Sequence, residues 1–315
     1  MPEIPVDDGV VLDVEVTGDG FPVVLAHGFP ELGYSWRHQV PALAGAGYRV
    51  VVPDQRGYGR SSRPEPVEAY DIHHLTGDLV RVLDELREER AVVVGHDWGS
   101  MVASHLALLH PDRVAALVNM SVPHLPRGPM PPVTAMRNAL GDAFFYILYF
   151  QEPGVADAEL GGDPARTMRR LLAGARTEPG AVPDPALFAQ DGRGFVDRIP
   201  EPEGLPAWLS QEELDHYVAE FTRTGFTGGI NWYRNLDRNW ETTPQLAGAT
   251  VGVPTLFVGG ALDPVVLMSP PAVAHDAVSD HRGDVLVPGA GHWVQQEAPE
   301  EVNGALLAFL ADVTH

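Results

Sequence analysis

The sequence of 315 residues contains no cysteine, which excludes disulfide bridges, thiolate metal sites and a cysteine nucleophile. It also lacks long hydrophobic runs, because no apolar stretch approaches the roughly 18 residues that a membrane span requires. Positive charge is scarce: 21 basic residues stand against 43 acidic ones, and the net charge is −22. Since such a field repels phosphate backbones and anionic membranes, we expect neither a nucleic acid nor a membrane as partner.

The first residues, 1–5, lack the basic and then apolar pattern of a signal peptide, which predicts a cytoplasmic protein. Apolar residues make up 44% of the sequence and charged residues 20%, so the chain can bury a sizeable core. Its length suits one large or two small domains. The composition leaves open whether the protein is a monomer or a homodimer.

Short runs rich in valine, leucine and alanine alternate with helical patterns in the first 125 residues. The runs lie at 10–16, 22–26, 48–52, 91–94 and 114–120, and the helical patterns at 70–88 and 100–110. Continuous apolar runs are typical of parallel strands covered on both faces, whereas the alternation at 10–16 is typical of an edge strand. The pattern predicts an α/β fold with a mostly parallel, doubly wound sheet.

Strand patterns disappear between about residues 123 and 240. Helices are predicted at 135–150, 155–175 and 210–222, the last opening with the capping-box sequence that starts at Ser210. Residues 177–206 are rich in proline, glycine and aspartate and predict a long loop excursion. Beyond them, strands at 255–258 and 284–287 alternate with helices at 269–278 and 299–313. We predict a core of residues 1–123 and 241–315, interrupted by a helical cap at 124–240.

The strongest local motif is Gly95-His96-Asp97-Trp98-Gly99, which follows a strand and precedes a helix. A reactive residue flanked by small residues two positions away is the pattern of a nucleophile elbow, where the turn is too tight for larger side chains. Here the central residue is a carboxylate. An aspartate before a helix is also a frequent N-cap, so the motif alone does not decide its role.

An acid and then a histidine follow a nucleophile of this kind in chain order. Asp263 and His292 meet this order, and each lies just after a predicted strand, where the functional groups of open α/β sheets gather. The sequence His27-Gly28-Phe29-Pro30 follows another strand, where a loop amide completes an oxyanion hole. We therefore predict that the backbone N–H groups of Phe29 and Trp98 form that hole.

These motifs together resemble those of the α/β-hydrolase fold epoxide hydrolases, and the likeness covers nearly the whole chain. Two stretches inside the helical block, 146–154 and 228–235, resemble the lid of the soluble epoxide hydrolases in particular. The resemblance implies that Tyr146 and Tyr233 donate hydrogen bonds to the epoxide oxygen, with Tyr149 as a neighbour that could be confused with Tyr146. It further implies an α/β-hydrolase fold with an inserted helical lid, and no cofactor or metal.

A carboxylate nucleophile limits the chemistry on physical grounds. Attack of Asp97 on a saturated carbon leaves an ester whose carbonyl belongs to the enzyme, and water activated by His292 can then reopen it. Asp263 orients the imidazole. The expected substrate is a small apolar epoxide, which reacts with water.

The apolar pocket for this substrate is predicted from aromatic residues, namely Phe29, Trp36, Trp98, Tyr149 and Trp293. Two alternatives remain at this point. A haloalkane dehalogenase would use the same three residues, with Trp98 as a halide donor, and a ligand receptor would keep the fold without turnover.

Overall fold

The computed structural model describes residues 3–7, 9–174 and 185–314. Eight strands form one sheet in these ranges: β1 (Glu3–Asp7), β2 (Val10–Thr17), β3 (Pro22–Ala26), β4 (Arg49–Pro53), β5 (Ala91–His96), β6 (Val114–Met120), β7 (Thr255–Gly260) and β8 (His281–Val287). Their order in the sheet is β1-β2-β4-β3-β5-β6-β7-β8. β1 and β2 pair antiparallel with their neighbours, and the strands from β4 to β8 pair in parallel.

The prediction of a mostly parallel α/β sheet is confirmed, and the central strands show why. Every residue of β3 and β5 is buried, because helices cover both faces of the sheet. The prediction of an edge strand at residues 10–16 is wrong, since β1 lies outside β2 and is itself the edge. The alternation in β2 reflects its position near the border of the sheet.

Fourteen α-helices lie in the described ranges. They are α1 (Gln39–Gly45), α2 (Ile72–Glu85), α3 (Trp98–Leu109), α4 (Pro132–Leu140), α5 (Tyr146–Tyr149), α6 (Val155–Gly162), α7 (Pro164–Gly174), α8 (Phe195–Arg198), α9 (Gln211–Thr224), α10 (Thr227–Arg234), α11 (Leu236–Thr242), α12 (Pro264–Met268), α13 (Val294–Glu297) and α14 (Pro299–Val313). Helices α4 to α11 stand between β6 and β7. The division into a core and a cap at residues 123 and 240 stays a prediction. No helix in the described ranges is long and apolar enough to span a membrane.

Several predicted helices are broken where the backbone requires it. The single helix predicted at 135–150 is two, because Gly141 has φ +57° and ends α4. The helix predicted at 155–175 is interrupted before Pro164, which lacks an amide hydrogen and begins α7. The helix predicted at 269–278 is a 3₁₀-helix at Pro271–Ala277, preceded by α12.

The start of α9 follows the prediction. Ser210 accepts a hydrogen bond from the Glu213 amide, and the Glu213 side chain accepts one from the Ser210 amide. Residues 177–184 of the predicted loop excursion lie outside the described residues. Its described part contains a 3₁₀-helix at Pro185–Phe188 and α8.

Candidate active site

The turn between β5 and α3 carries Asp97 in a backbone conformation that few non-glycine residues adopt, with φ 53° and ψ −119°. Close packing explains the small neighbours: a Cβ on Gly95 would collide with the Gly99 carbonyl, and one on Gly99 with the Ala26 carbonyl. Gly28 is packed against the Asp97 side chain in the same way. The elbow thus presents the carboxylate at the end of the sheet, as the motif predicted.

The two oxygens of the Asp97 carboxylate have different surroundings. Oδ1 accepts a hydrogen bond of 2.8 Å from the Phe29 amide, and the Trp98 amide also donates to the carboxylate. Oδ2 lies 3.7 Å from Nε2 of His292. The Phe29 amide therefore binds one oxygen of the carboxylate, while the other oxygen faces the imidazole.

His292 is held by Asp263, and both residues are buried. Nδ1 of His292 lies 3.1 Å and 3.0 Å from the two Asp263 oxygens, so this nitrogen carries the hydrogen and Nε2 is left toward Asp97. Asp263 also accepts a bond from the Val265 amide, which fixes it at the start of α12. The structure brings Asp97, Asp263 and His292 together at the ends of three strands.

Neighbouring charges strongly affect the pKa values of these three residues. Burial disfavours the charged imidazole, but the Asp263 carboxylate, its hydrogen bond and the Asp97 carboxylate outweigh burial and raise the pKa of His292 to about 9. Burial raises the pKa of Asp97, while His292 and the two amides act in the opposite direction. Hydrogen bonds and His292 hold the pKa of Asp263 below its ordinary value in spite of burial.

Two tyrosines on separate helices face the carboxylate. Tyr146 on α5 and Tyr233 on α10 have ring centroids 5.9 Å apart at 76°, and the Tyr233 ring also lies 5.0 Å from Trp98. Burial and then the nearby Asp97 charge raise the pKa of both hydroxyls, although a hydrogen bond from Trp98 acts in the opposite direction on Tyr233. Both tyrosines therefore stay protonated at neutral pH and can donate.

Two largely apolar cavities of about 340 Å³ and 310 Å³ meet at these residues. Asp97, Tyr146 and Tyr233 line both of them. Trp98 belongs to the wall of the first cavity, and Phe29 and Trp293 to the wall of the second, as predicted for pocket residues. The carboxylate thus stands between two apolar chambers.

Two of the residues predicted to line the pocket, Trp36 and Tyr149, line neither cavity. Trp36 is fully buried in the core under the sheet, among residues such as Leu43 and Val294, because its apolar ring fills space between helices and strands. Tyr149 points away from both cavities and its hydroxyl donates to Glu159. Tyr146 and Tyr149 begin and end the single turn α5, but of the two only Tyr146 lines the cavities.

A buried pair of side chains, Glu31 and His96, lies behind these three residues and was not predicted from the sequence. Nδ1 of His96 lies 2.6 Å from Oε2 of Glu31, and its Nε2 lies 2.8 Å from the His292 carbonyl oxygen. Both ring nitrogens of His96 therefore lie against oxygen atoms. Burial opposes ionisation of Glu31, but His96 and the Gly28 amide outweigh it and lower the pKa of Glu31 to about 2.

This pair ties together segments that are far apart in the chain. Glu31 also accepts from the side-chain amides of Gln295 and Gln296, and from the Gly28 amide beside the oxyanion hole. The available signal was that Glu31 directly follows the motif at 27–30 and that His96 lies inside the motif at 95–99. What the sequence does not reveal is that they touch each other across 65 residues.

Comparison with known proteins agrees with this geometry. The family model for the alpha/beta hydrolase fold matches residues 22–299. Epoxide hydrolase A of Mycobacterium tuberculosis is 62% identical over 96% of this chain and 95% of its own. Epoxide hydrolase 1 of Siraitia grosvenorii is 40% identical over 96% of each chain. The chain belongs to the epoxide hydrolases of the α/β-hydrolase fold.

Solved structures agree with this assignment. The crystal structure of Epoxide Hydrolase A from Mycobacterium thermoresistibile superposes with a TM-score of 0.94 at 57% identity, and covers 98% of this chain and 97% of its own. The protein is therefore an enzyme that adds water to an epoxide. The alternative of a haloalkane dehalogenase is not favoured by these relatives.

Proposed function

We propose that this enzyme converts an epoxide and water to a vicinal diol through an ester on Asp97, with Asp263 and His292 completing a triad. The observation that carries the proposal is the unequal environment of the Asp97 oxygens. In this proposal Oδ2 attacks the ring carbon as Oδ1 remains on the Phe29 and Trp98 amides. The C–O bond of the ring breaks, and its electron pair leaves on the epoxide oxygen.

The leaving oxygen is an alkoxide, which needs a proton or a strong hydrogen bond as the ring opens. Tyr146 and Tyr233 supply these donors, because both line the two cavities with Asp97 and remain protonated. A halide would need no such acid. The tyrosine pair is thus the feature that suits the site to an epoxide.

Ring opening changes the charge around His292. Conversion of Asp97 to a neutral ester removes one of the three carboxylates, Asp263, Asp97 and Glu31, that raise the pKa of His292. The imidazole then releases its proton more readily and serves as general base for water. Water gives a proton to Nε2 of His292 as it attacks the ester carbonyl, and the oxyanion develops on Oδ1 at the amides. Collapse breaks the bond between the carbonyl carbon and the substrate oxygen, and the imidazolium returns its proton to that oxygen, so that the diol leaves. The proton that remains on the Asp97 carboxyl replaces the one that the tyrosines gave to the ring oxygen.

The two cavities support a substrate with apolar substituents on both sides of the ring. Asp97 lines both cavities, so an epoxide held there can extend the substituent of one ring carbon into the first cavity and that of the other ring carbon into the second. We infer that 1,2-disubstituted apolar epoxides such as a stilbene oxide are suited to the site. Terminal epoxides such as styrene oxide fill a single chamber.

Substitution of the tyrosines tests the proposed function. We expect Tyr146→Phe and Tyr233→Phe each to slow ring opening by about 10²-fold, because each removes one donor to the developing alkoxide. Diol formation from stilbene oxide, followed under single-turnover conditions, measures the step. Tyr149→Phe is the matched control, since its hydroxyl bonds to Glu159 outside the cavities. Equal rates for all three variants would contradict the assignment.

Ester hydrolysis has a pH dependence that follows from the charge change. The free enzyme holds His292 protonated up to a pKa of about 9. Because the ester lacks the Asp97 charge, we expect the rate of its hydrolysis to rise with pH and to level off above a midpoint below 9. Stopped-flow fluorescence of Trp98 and Trp293, which line the cavities, can follow the decay of the ester. A midpoint above that of the free enzyme would overturn the proposed sequence.

A further inference from the structure

One face of α3 forms a wall of the first cavity. Trp98, Met101, His105 and Leu108 line it, and their spacing of three or four residues places them on the same side of the helix. His105 follows Asp97 by eight residues. At a rise of 1.5 Å per residue, its backbone lies about 12 Å from the nucleophile along the helix axis.

The His105 side chain presents a hydrogen-bond acceptor on this wall. Its Nδ1 lies 2.8 Å from the Met101 carbonyl oxygen, and because a carbonyl only accepts, Nδ1 carries the hydrogen. Burial lowers the pKa of His105, so the ring is neutral at pH 7. The Nε2 lone pair of the neutral ring remains for a donor.

A second imidazole reaches the same cavity from the loop after β6. His124 lines the first cavity, is 4% exposed, and its Nε2 has no hydrogen-bond partner among the described residues. Burial and then the neighbouring His105 lower the pKa of His124 to about 4. A neutral buried ring without partners is costly unless a ligand supplies them.

Three other polar side chains of this wall are already bonded, whereas Nε of Arg127, which also lines the cavity, has no partner among the described residues. Asn239 accepts from the Ile72 amide, Thr243 donates to the Asn239 carbonyl, and the Trp240 indole donates to the Gly128 carbonyl. Around them the wall is apolar, with Leu108 and Leu246 among its members. The two imidazoles are therefore hydrogen-bonding groups that the fold leaves for an occupant.

We propose that His105 and His124 form a binding site for a hydroxyl group on the part of the substrate that extends from its epoxide ring into the first cavity. This inference rests on the proposed function, because it places the ring at Asp97. A hydroxyl donates to a ring nitrogen and accepts from an N–H, which suits two neutral imidazoles. A carboxylate has no hydrogen to give to the Nε2 of His105.

Matched substrates test this site. Epoxyalkanols are compared with epoxyalkanes of the same length, while the chain between ring and hydroxyl grows one carbon at a time. We expect kcat/KM for the alcohol to exceed that for the alkane by roughly tenfold at one optimal length, as for one buried hydrogen bond. His124→Phe and His105→Leu should bring this ratio close to one. His216→Phe, on the exposed side of α9, is the control that should retain it.

The possible outcomes of this experiment distinguish the hydroxyl site from the proposed function. Equal kcat/KM for alcohol and alkane at every length, or a ratio unchanged in both histidine variants, overturns the hydroxyl site and leaves the proposed function standing. Preference for a matched epoxy acid over the alcohol also overturns it, since Arg127, stacked on Trp240 in the same cavity, would then be the recognising group. Failure to form diol even from the alkane contradicts the proposed function itself.

Discussion

Replacement of Asp97 by alanine is expected to abolish diol formation. The variant lacks the atom that attacks the ring, and loss of a covalent nucleophile costs on the order of 10⁶ in kcat. Binding should survive, because the walls of both cavities are otherwise intact. Diol formation from stilbene oxide measures the loss, and Asp215→Ala on the exposed face of α9 is a control that should retain full activity. Diol formation by the alanine variant at even a hundredth of the normal rate excludes Asp97 as nucleophile.

Isotope labelling of the unmodified enzyme gives an independent check on the same residue. In a single turnover in heavy-oxygen water, the diol takes its new oxygen from Asp97, and the label enters the carboxylate instead. Mass spectrometry of the peptide that contains Asp97 should therefore show the label, and the first diol should not. Label in the first diol indicates direct attack by water.

His292→Gln should stop the reaction after its first half. Ring opening needs the Asp97 carboxylate and the tyrosines, whereas ester hydrolysis needs a base, and removal of a general base typically costs 10²- to 10⁴-fold. The variant should therefore accumulate the ester, which is seen as an added mass of one substrate on the intact protein.

A control for this prediction is a variant of Asp263, the hydrogen-bond partner of His292. Asp263→Asn keeps the shape of the partner but removes the charge that raises the pKa of His292. It should also accumulate ester, at a rate of hydrolysis between those of the glutamine variant and the unmodified enzyme. If His292→Gln turns over without a detectable ester, another group is the base.

The local signals in the sequence account for the triad. Gly95 and Gly99 must be small because they pack against residues close in the chain or on the adjacent strand. Their spacing therefore identifies the elbow from the sequence alone. Asp263 follows a fully buried strand and His292 follows a strand that ends in the apolar run 285–287, and the carboxyl ends of parallel strands meet at one edge of the sheet. Chain order and strand ends together predicted this arrangement.

The aromatic residues are harder to place for a physical reason. Trp36 and Trp293 have the same apolar character, yet one fills the core under the sheet and the other lines a cavity. Nothing local separates these outcomes, because each depends on which helix packs over the residue. Tyr149 turns toward Glu159 for a similar reason, and the bond between Glu31 and His96 depends on how β3 and β5 pair.

The separate origins of the two sets of catalytic groups have a consequence for how the enzyme can change. The tyrosines come from α5 and α10, in the segment between β6 and β7, whereas Asp97, Asp263 and His292 follow strands of the sheet. Insertions or substitutions in that segment can alter which ring carbon is attacked, and in which enantiomer, without disturbing release of the product from its ester. Selectivity can therefore change while the proposed hydrolytic residues stay the same.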